Sequence, residues 1–361
     1  MKMLLFVVTL GTLSLVPGLT HAAPDIFAAA SSGTPADVRA ALQAGADVEA
    51  QGDDGVTPLM RAAADNPDPE VTAALIDGGA QLEDADRTGH TPLMYAAKAN
   101  AAPVVSALLA RHARVEAQDR DGANALILAV STGIVREELV RLLVNAGTPI
   151  GMRTAEGWTA LLTACRFDAT PWLVHLLLTC GGHADDHNAD GASALMIAVM
   201  SDANDEVASM LLAGGAGVND RTPDGWTPLM VAARSNAGPS VLRVLLNAGA
   251  SVNERAEGGA TALMLAAVGV SDIESIQLLV KAGAGINDRA DDGRTALMLA
   301  AQYTMSPPVV TALLLSGADG SLVTPDGRTA FDFAGRNRFM RQTAAYAQLR
   351  AAAGKTGEPG Q

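Results

Sequence analysis

The chain has 361 residues, a formal charge of −14, two cysteines, and an apolar fraction of 49% that includes only 3% aromatics. This balance argues against nucleic acid, which is bound by Lys and Arg that neutralise phosphates, and against docking on an anionic membrane surface. Apolar content made mostly of Ala, Leu and Val suits many thin, closely packed helices better than one large globular core.

Residues 1–22 read as an export leader. Lys2 supplies the positive start, Met3 to Val16 is the apolar run, and Pro17 and Gly18 break it. Thr20-His21-Ala22 fits a small-x-small cleavage site with Ala23 as the new N-terminus. The run is too short for a stable membrane span. Its removal leaves 24 basic against 39 acidic residues, a charge of −15. The expected location is therefore the periplasm or the exterior of a Gram-negative bacterium, with no membrane insertion after cleavage.

Residues 23–335 form the next unit and repeat themselves. Gly225-Trp226-Thr227-Pro228-Leu229-Met230-Val231-Ala232-Ala233 echoes Gly55-Val56-Thr57-Pro58-Leu59-Met60-Arg61-Ala62-Ala63. Similar phrases open at Gly89, Gly122, Gly157, Gly191, Gly259, Gly293 and Gly327, at intervals of 33 to 35 residues. Self-similarity at such a period marks a stacked repeat protein, in which each unit touches only its neighbours. Within one unit, Thr222-Pro223-Asp224-Gly225 favours a tight turn. Thr227-Pro228 then opens a first helix, with Thr as N-cap and Pro at the first helical position. A second turn follows over 235–240, then a second helix over 241–246, and Gly249 stands where a left-handed C-cap needs Gly. Asp68-Pro69, Thr170-Pro171 and Ser306-Pro307 are read as capping pairs for other second helices.

Turn, helix, turn, helix at this period resembles the ankyrin repeat, whose first helix opens on T-P-L-H-x-A-A and whose second ends before G-A. The resemblance covers nearly all of the chain after the leader and implies an all-α solenoid of nine or ten helix-turn-helix repeats with short β-turn fingers. There are departures. The family's His is Met60, Met94, Met196, Met230, Met264 and Met298 here, and Ile127 and Leu162 elsewhere, which removes that side chain's hydrogen bonds near the turn. His112 replaces the Gly after one second helix. The first copy, Asp25 to Gln51, lacks the Thr-Pro-Leu-Met start, and the last carries Asp332 in the methionine column, as terminal repeats with a polar outer face should. Residues 336–353 are expected to close the stack as a helix, and 354–361 to be a disordered tail.

Sites for chemistry do not emerge. Gly354-Lys355-Thr356 lacks the earlier Gly of a phosphate loop, since position 349 is Leu. Cys180, His183 and His187 lack the short paired spacing of zinc ligands. Cys165 and Cys180 close the opposite ends of antiparallel helices, about 12 Å apart at ~1.5 Å per residue, beyond disulfide reach, so two buried free thiols are expected. Rungs ~8–10 Å apart cannot share a metal through bonds of ~2.3 Å, so the methionine column reads as core. No cofactor or metal and no catalytic residue is expected, because the repeats account for every segment.

Residues that vary within the fixed frame are the candidates for recognition. The position after each turn Gly is Val56, His90, Ala123, Trp158, Ala192, Trp226, Ala260, Arg294 and Arg328. Trp158 and Trp226 are two repeats, about 20 Å, apart, and Trp and Arg dominate interface hot spots. Four residues before the turn Gly runs a basic ladder, Arg153, His187, Arg221, Arg255 and Arg289, flanked by carboxylates. Compensating surface pairs are one reading of it, and a stripe that meets carboxylates on a partner is the other. Tyr95 on the first-helix surface joins His90, Trp158, Trp226, Arg294 and the ladder arginines as a candidate contact. The resemblance implies a monomeric, non-catalytic scaffold that binds another protein of basic or mixed charge, helping or protecting an exported enzyme. The alternatives are an immunity protein against a toxin, and a hydrolase or metal-dependent enzyme with a site on the repeats.

Overall fold

A computed structural model describes residues 25–201, 205–235, 237–269 and 272–354. The expected leader, and the expected tail beyond Gly354, lie outside the described residues. Among the described residues there are twenty α-helices and no strand. They run as ten hairpins. The first five are α1 (Ile26–Ser32) with α2 (Pro35–Gln43), α3 (Pro58–Asp65) with α4 (Pro69–Asp77), α5 (Pro92–Lys98) with α6 (Ala102–Ala110), α7 (Ala125–Val130) with α8 (Glu137–Asn145), and α9 (Ala160–Phe167) with α10 (Pro171–Thr179). The others are α11 (Ala194–Met200) with α12 (Asp205–Ala213), α13 (Pro228–Arg234) with α14 (Gly238–Asn247), α15 (Ala262–Gly269) with α16 (Ile273–Lys281), α17 (Ala296–Tyr303) with α18 (Pro307–Leu315), and α19 (Ala330–Ala334) with α20 (Ala344–Ala352).

The caps explain why these short segments are helical. Thr57, Thr91, Asn124, Thr159, Ser193, Thr227 and Thr295 each accept, through the side chain, the N–H three residues on. That satisfies a donor with no intrahelical partner. The methionines that stand for His do not leave the turn bare. The Met60 and Met94 thioethers accept from the N–H groups of Thr57 and Thr91 at 3.5 Å. Asp332 does more, accepting from Thr329 N–H at 2.9 Å and Thr329 Oγ1 at 2.8 Å in a capping box.

Three expectations change. All three second-helix prolines take the first turn, but only Asp68 caps, while Thr170 and Ser306 make no side-chain cap bond. The second helix of the seventh hairpin begins at Gly238, not 241, with Pro239 inside its first turn. The closing helix expected over 336–353 is Ala344–Ala352, because 336–343 run as turns anchored by buried Met340. Past α6, His112 holds φ +65° without the benefit of Gly, a conformation that costs ~1–2 kcal/mol for an L-residue. The N–H of Ala113, which follows it, donates to the Leu108 carbonyl at 3.1 Å.

Odd-numbered helices stack in one row and even-numbered helices in another. Neighbours in the odd row pack more closely, so the stack curves with that row and its turns on the inside. The cause is a buried alanine pair, seen at Ala62-Ala63, Ala96-Ala97, Ala232-Ala233, Ala266-Ala267 and Ala300-Ala301. Small side chains let helix axes approach. In three central hairpins the second alanine is replaced by Val130, Cys165 and Val199, and the row is loosest between α7 and α9. Both cysteines are free. Cys165 is buried, which pushes its thiol up to about 12, whereas Cys180 is only half-buried, contrary to expectation.

Between hairpins the chain projects as turn fingers, and most fingers hydrogen-bond to the next. Arg120 N–H donates to the Thr88 carbonyl at 2.9 Å, Ala189 N–H to Glu156 at 2.8 Å, and Glu257 N–H to Asp224 at 2.8 Å. Gly89 shows why the finger needs glycine. Its φ is +89°, and a Cβ there would stand 2.9 Å from the Arg120 nitrogen. The donor position is proline twice, at Pro223 and Pro325, and proline has no N–H to give.

A second tie runs through the turns after the even row. Asn219, Asn253 and Asn287 accept from the N–H groups of Ser251, Gly285 and Asp319 at 2.8–2.9 Å, and donate to the carbonyls of Gly249, Gly283 and Gly317. Each end of the stack is held by a buried asparagine. Asn66 donates to the carbonyls of Ala30 and Gly33, and accepts from Asp68 N–H. Asn337 donates to those of Ala301 and Thr304, and accepts from Phe339 N–H.

Candidate partner-binding surface

The inner side of the curve carries most of the candidate contacts. Each finger ends on the residue after its glycine, so that side chain stands at the mouth of the odd row. Trp158 and Trp226 are each half-buried against the core, with the backbone N–H held by Thr154 and Thr222 hydroxyls at 3.1 Å. A guanidinium from the end of the same hairpin's first helix lies over each indole, Arg166 at 5.3 Å from Trp158 and Arg234 at 5.6 Å from Trp226. Arg294 is held by Asp292 at 2.6 Å and by Gln302 at 3.1 Å, under the ring of Tyr303. Two of the hollows on this face lie beside the tryptophan posts. One, of about 630 Å³, includes His90, Lys98, Ala123, Ser131, Trp158 and Arg166 in its lining. The other, of about 540 Å³, is lined almost entirely by apolar atoms, from Ala192, Met196, Met200, Trp226 and Val231 among others.

His90 and Tyr95 belong to one polar cluster. Tyr95 donates its hydroxyl to Asp86 at 2.7 Å, and Asp86 also accepts from Thr88 and from the His90 N–H. The His90 ring meets Tyr95 at 5.7 Å and reaches Asp119 of the next finger at 3.5 Å. Burial alone would raise the Asp86 carboxyl, but the bonds from Tyr95, Thr88 and the backbone outweigh it and hold the group at about 2. Burial and the Asp86 hydrogen bond raise the Tyr95 hydroxyl. The stabilisation from Asp86 is therefore complete above the ordinary carboxylate range near ~4 and is lost as pH falls through about 2. Tyr95→Phe is expected to move the Asp86 titration upward, seen by carboxyl NMR, and to cost on the order of 1–2 kcal/mol at neutral pH.

The basic ladder faces along the stack. Arg153 donates to the His187 carbonyl at 2.9 Å and pairs with Asp186. Arg221 donates to the Arg255 carbonyl at 2.9 Å and pairs with Glu254. Arg255 donates to the Arg289 carbonyl, and Arg289 to that of Val323 at 2.7 Å. His187 instead meets the Asp220 carboxylate at 3.2 Å. Each arginine thus grips the ladder position of the next repeat through a terminal guanidinium nitrogen, while the side chain stays roughly half-exposed.

The sequence patterns above do not single out Lys98, Arg166, Met200, Arg234 and Val268, all nine residues past a turn glycine. Met200 is 55% and Val268 40% exposed. The signal was available, because that offset ends the first helix on its open side. Among the described residues no group of three His, Cys, Asp or Glu is placed to hold a metal, and no helix is long and apolar enough to cross a membrane.

Comparison with known proteins agrees with the geometry. A family model described as "Ankyrin repeats (3 copies)" matches residues 26–119, 102–173, 164–256, 238–324 and 262–341, which together cover most of the chain. No curated protein matches it.

Proposed function

The chain belongs to the ankyrin-repeat family, and from that premise we propose that it is a non-catalytic scaffold of the bacterial periplasm. Ankyrin repeats generally mediate protein–protein interaction. Here the bound partner is a protein of mixed charge, held by the inner face and the finger tips. In this role the chain helps or protects an exported enzyme. The observation that carries the reading is the inner face itself, where Trp158 and Trp226 stand half-exposed beside guanidinium groups, the residue types that anchor interfaces. The leader motif of residues 1–22 supports the location.

The test is capture from periplasmic extract by residues 23–361, followed by mass spectrometry. A specific protein is expected to be enriched by the wild-type chain and lost with Trp158→Ala/Trp226→Ala. Retention of the same partner by that double variant would remove the inner face from the account. Absence of any specific partner, or turnover of a substrate by the purified chain, would remove the scaffold role.

A further inference from the structure

From His90 to Arg294 the inner face has a period of two repeats, not one. The residue after the turn glycine is large in alternate repeats, as His90, Trp158, Trp226 and Arg294, and is Ala123, Ala192 and Ala260 in the repeats between. Eight residues further on, charge follows the same rhythm as far as Arg234, and the corresponding position after Arg294 is the neutral Gln302. Lys98, Arg166 and Arg234 belong to the large repeats, and Ser131, Met200 and Val268 to the small ones.

In the structure this alternation becomes relief. The stacked pairs Trp158–Arg166 and Trp226–Arg234 are ridges, about 20 Å apart across two rungs. Two hollows lie at alanine rungs, one beneath Ala123 and one beneath Ala192, and another lies between Arg294 and Arg328. The ridge cations are also electrically open. Arg61, Arg111, Arg141 and Arg243 all hold carboxylates, whereas Lys98, Arg166 and Arg234, like Arg87, Arg120 and Arg136, form no ion pair among the described residues. On a chain of charge −14, cations left without a carboxylate at a regular spacing mark where an outside carboxylate fits. A guanidinium already stacked on an indole keeps its in-plane N–H groups free to take that carboxylate in bidentate fashion.

We propose that the inner face receives an extended, acidic and apolar protein segment. It carries carboxylates about 20 Å apart, one on each ridge guanidinium, and beside them an apolar side chain that enters the neighbouring hollow. An extended chain rises ~3.3 Å per residue, so the two carboxylates stand about six residues apart and, six being even, on one face of the segment. This rests on the protein-binding role proposed above and names the chemistry of the partner.

The experiment selects phage-displayed random sixteen-residue peptides on residues 23–361. The enriched peptides are then synthesised, and their affinity is measured by fluorescence anisotropy. The expected consensus has Asp or Glu at two positions about six apart, each next to an aromatic or aliphatic residue. Affinity is expected to fall about tenfold or more in Arg166→Glu/Arg234→Glu, to fall less in Arg166→Gln/Arg234→Gln, and to weaken with salt. It should be unchanged in Arg243→Glu, which alters an outer-row arginine. Basic enriched peptides, or acidic ones that bind the Glu double variant equally well, overturn the proposal and leave the scaffold role standing. No enrichment also overturns it, and only the additional failure to capture any periplasmic protein would end both.

Discussion

Leu161→Ala is expected to destabilise the chain by about 2–5 kcal/mol and to split its unfolding into two transitions. Leu161 is 1% exposed on α9, which packs on α7, α10 and α11. The odd row is loosest at α7–α9, where Val130 and Cys165 hold the helices apart and keep them from closing over a void. In a stack where each unit touches only its neighbours, stability is a sum of unit and interface terms. A loss of this size in the middle separates the two arms. Calorimetry or urea unfolding checks it, with fluorescence following Trp226 in a background lacking the other tryptophans. The control is Leu299→Ala on α17, a partly buried side chain in a tightly packed part of the row, expected to cost less and to leave one transition. A single transition in both variants would show that the stack unfolds as one block.

Asn337→Ala is expected to cost about 2–4 kcal/mol, and Asn66→Ala a similar amount. Each side chain makes three hydrogen bonds to backbone groups, and two of those bonds cross to the preceding hairpin. Truncation leaves the carbonyls of Ala301 and Thr304, or of Ala30 and Gly33, without that partner in a buried place. A second turn depends on the same side chain, since Asn337 also fixes the N–H of Phe339 ahead of Met340. The effect should be local. Hydrogen exchange is expected to speed up in α19 and α20 for Asn337→Ala and in α1 and α2 for Asn66→Ala, with the central helices unchanged. Uniform acceleration along the chain would show that the ends are not independent caps.

The glycine interval was enough to place the rows, because a helix pair and its finger need a fixed length and a positive φ in a fixed place. Thr57, Thr91 and Thr227 could be named as caps for the same reason. Asn66 and Asn337 could not be recognised as clamps. In sequence they are turn asparagines like many others, and only their burial in the folded stack separates them. The ladder arginines were visible as a ladder, but a cation four residues before a turn can face a partner or the next repeat with equal ease. The direction was settled by the carbonyls at His187, Arg255, Arg289 and Val323 coming within reach. The two-repeat rhythm between His90 and Arg294 is legible in the sequence but hidden, since a single consensus for every repeat averages it away.

Pro223 and Pro325 leave the row of fingers with two expansion joints. At the later one the guanidinium of Arg289 still reaches across to Val323. At the earlier one, among the described residues, the crossing contact is the imidazole of His187 against Asp220. Within the row of fingers, flexing therefore meets least resistance beside the finger that carries Trp226, and the apolar hollow there becomes the part of the surface whose width is adjustable. A guest of slightly wrong girth would be accommodated by yielding at one seam, while the rungs on either side keep their spacing.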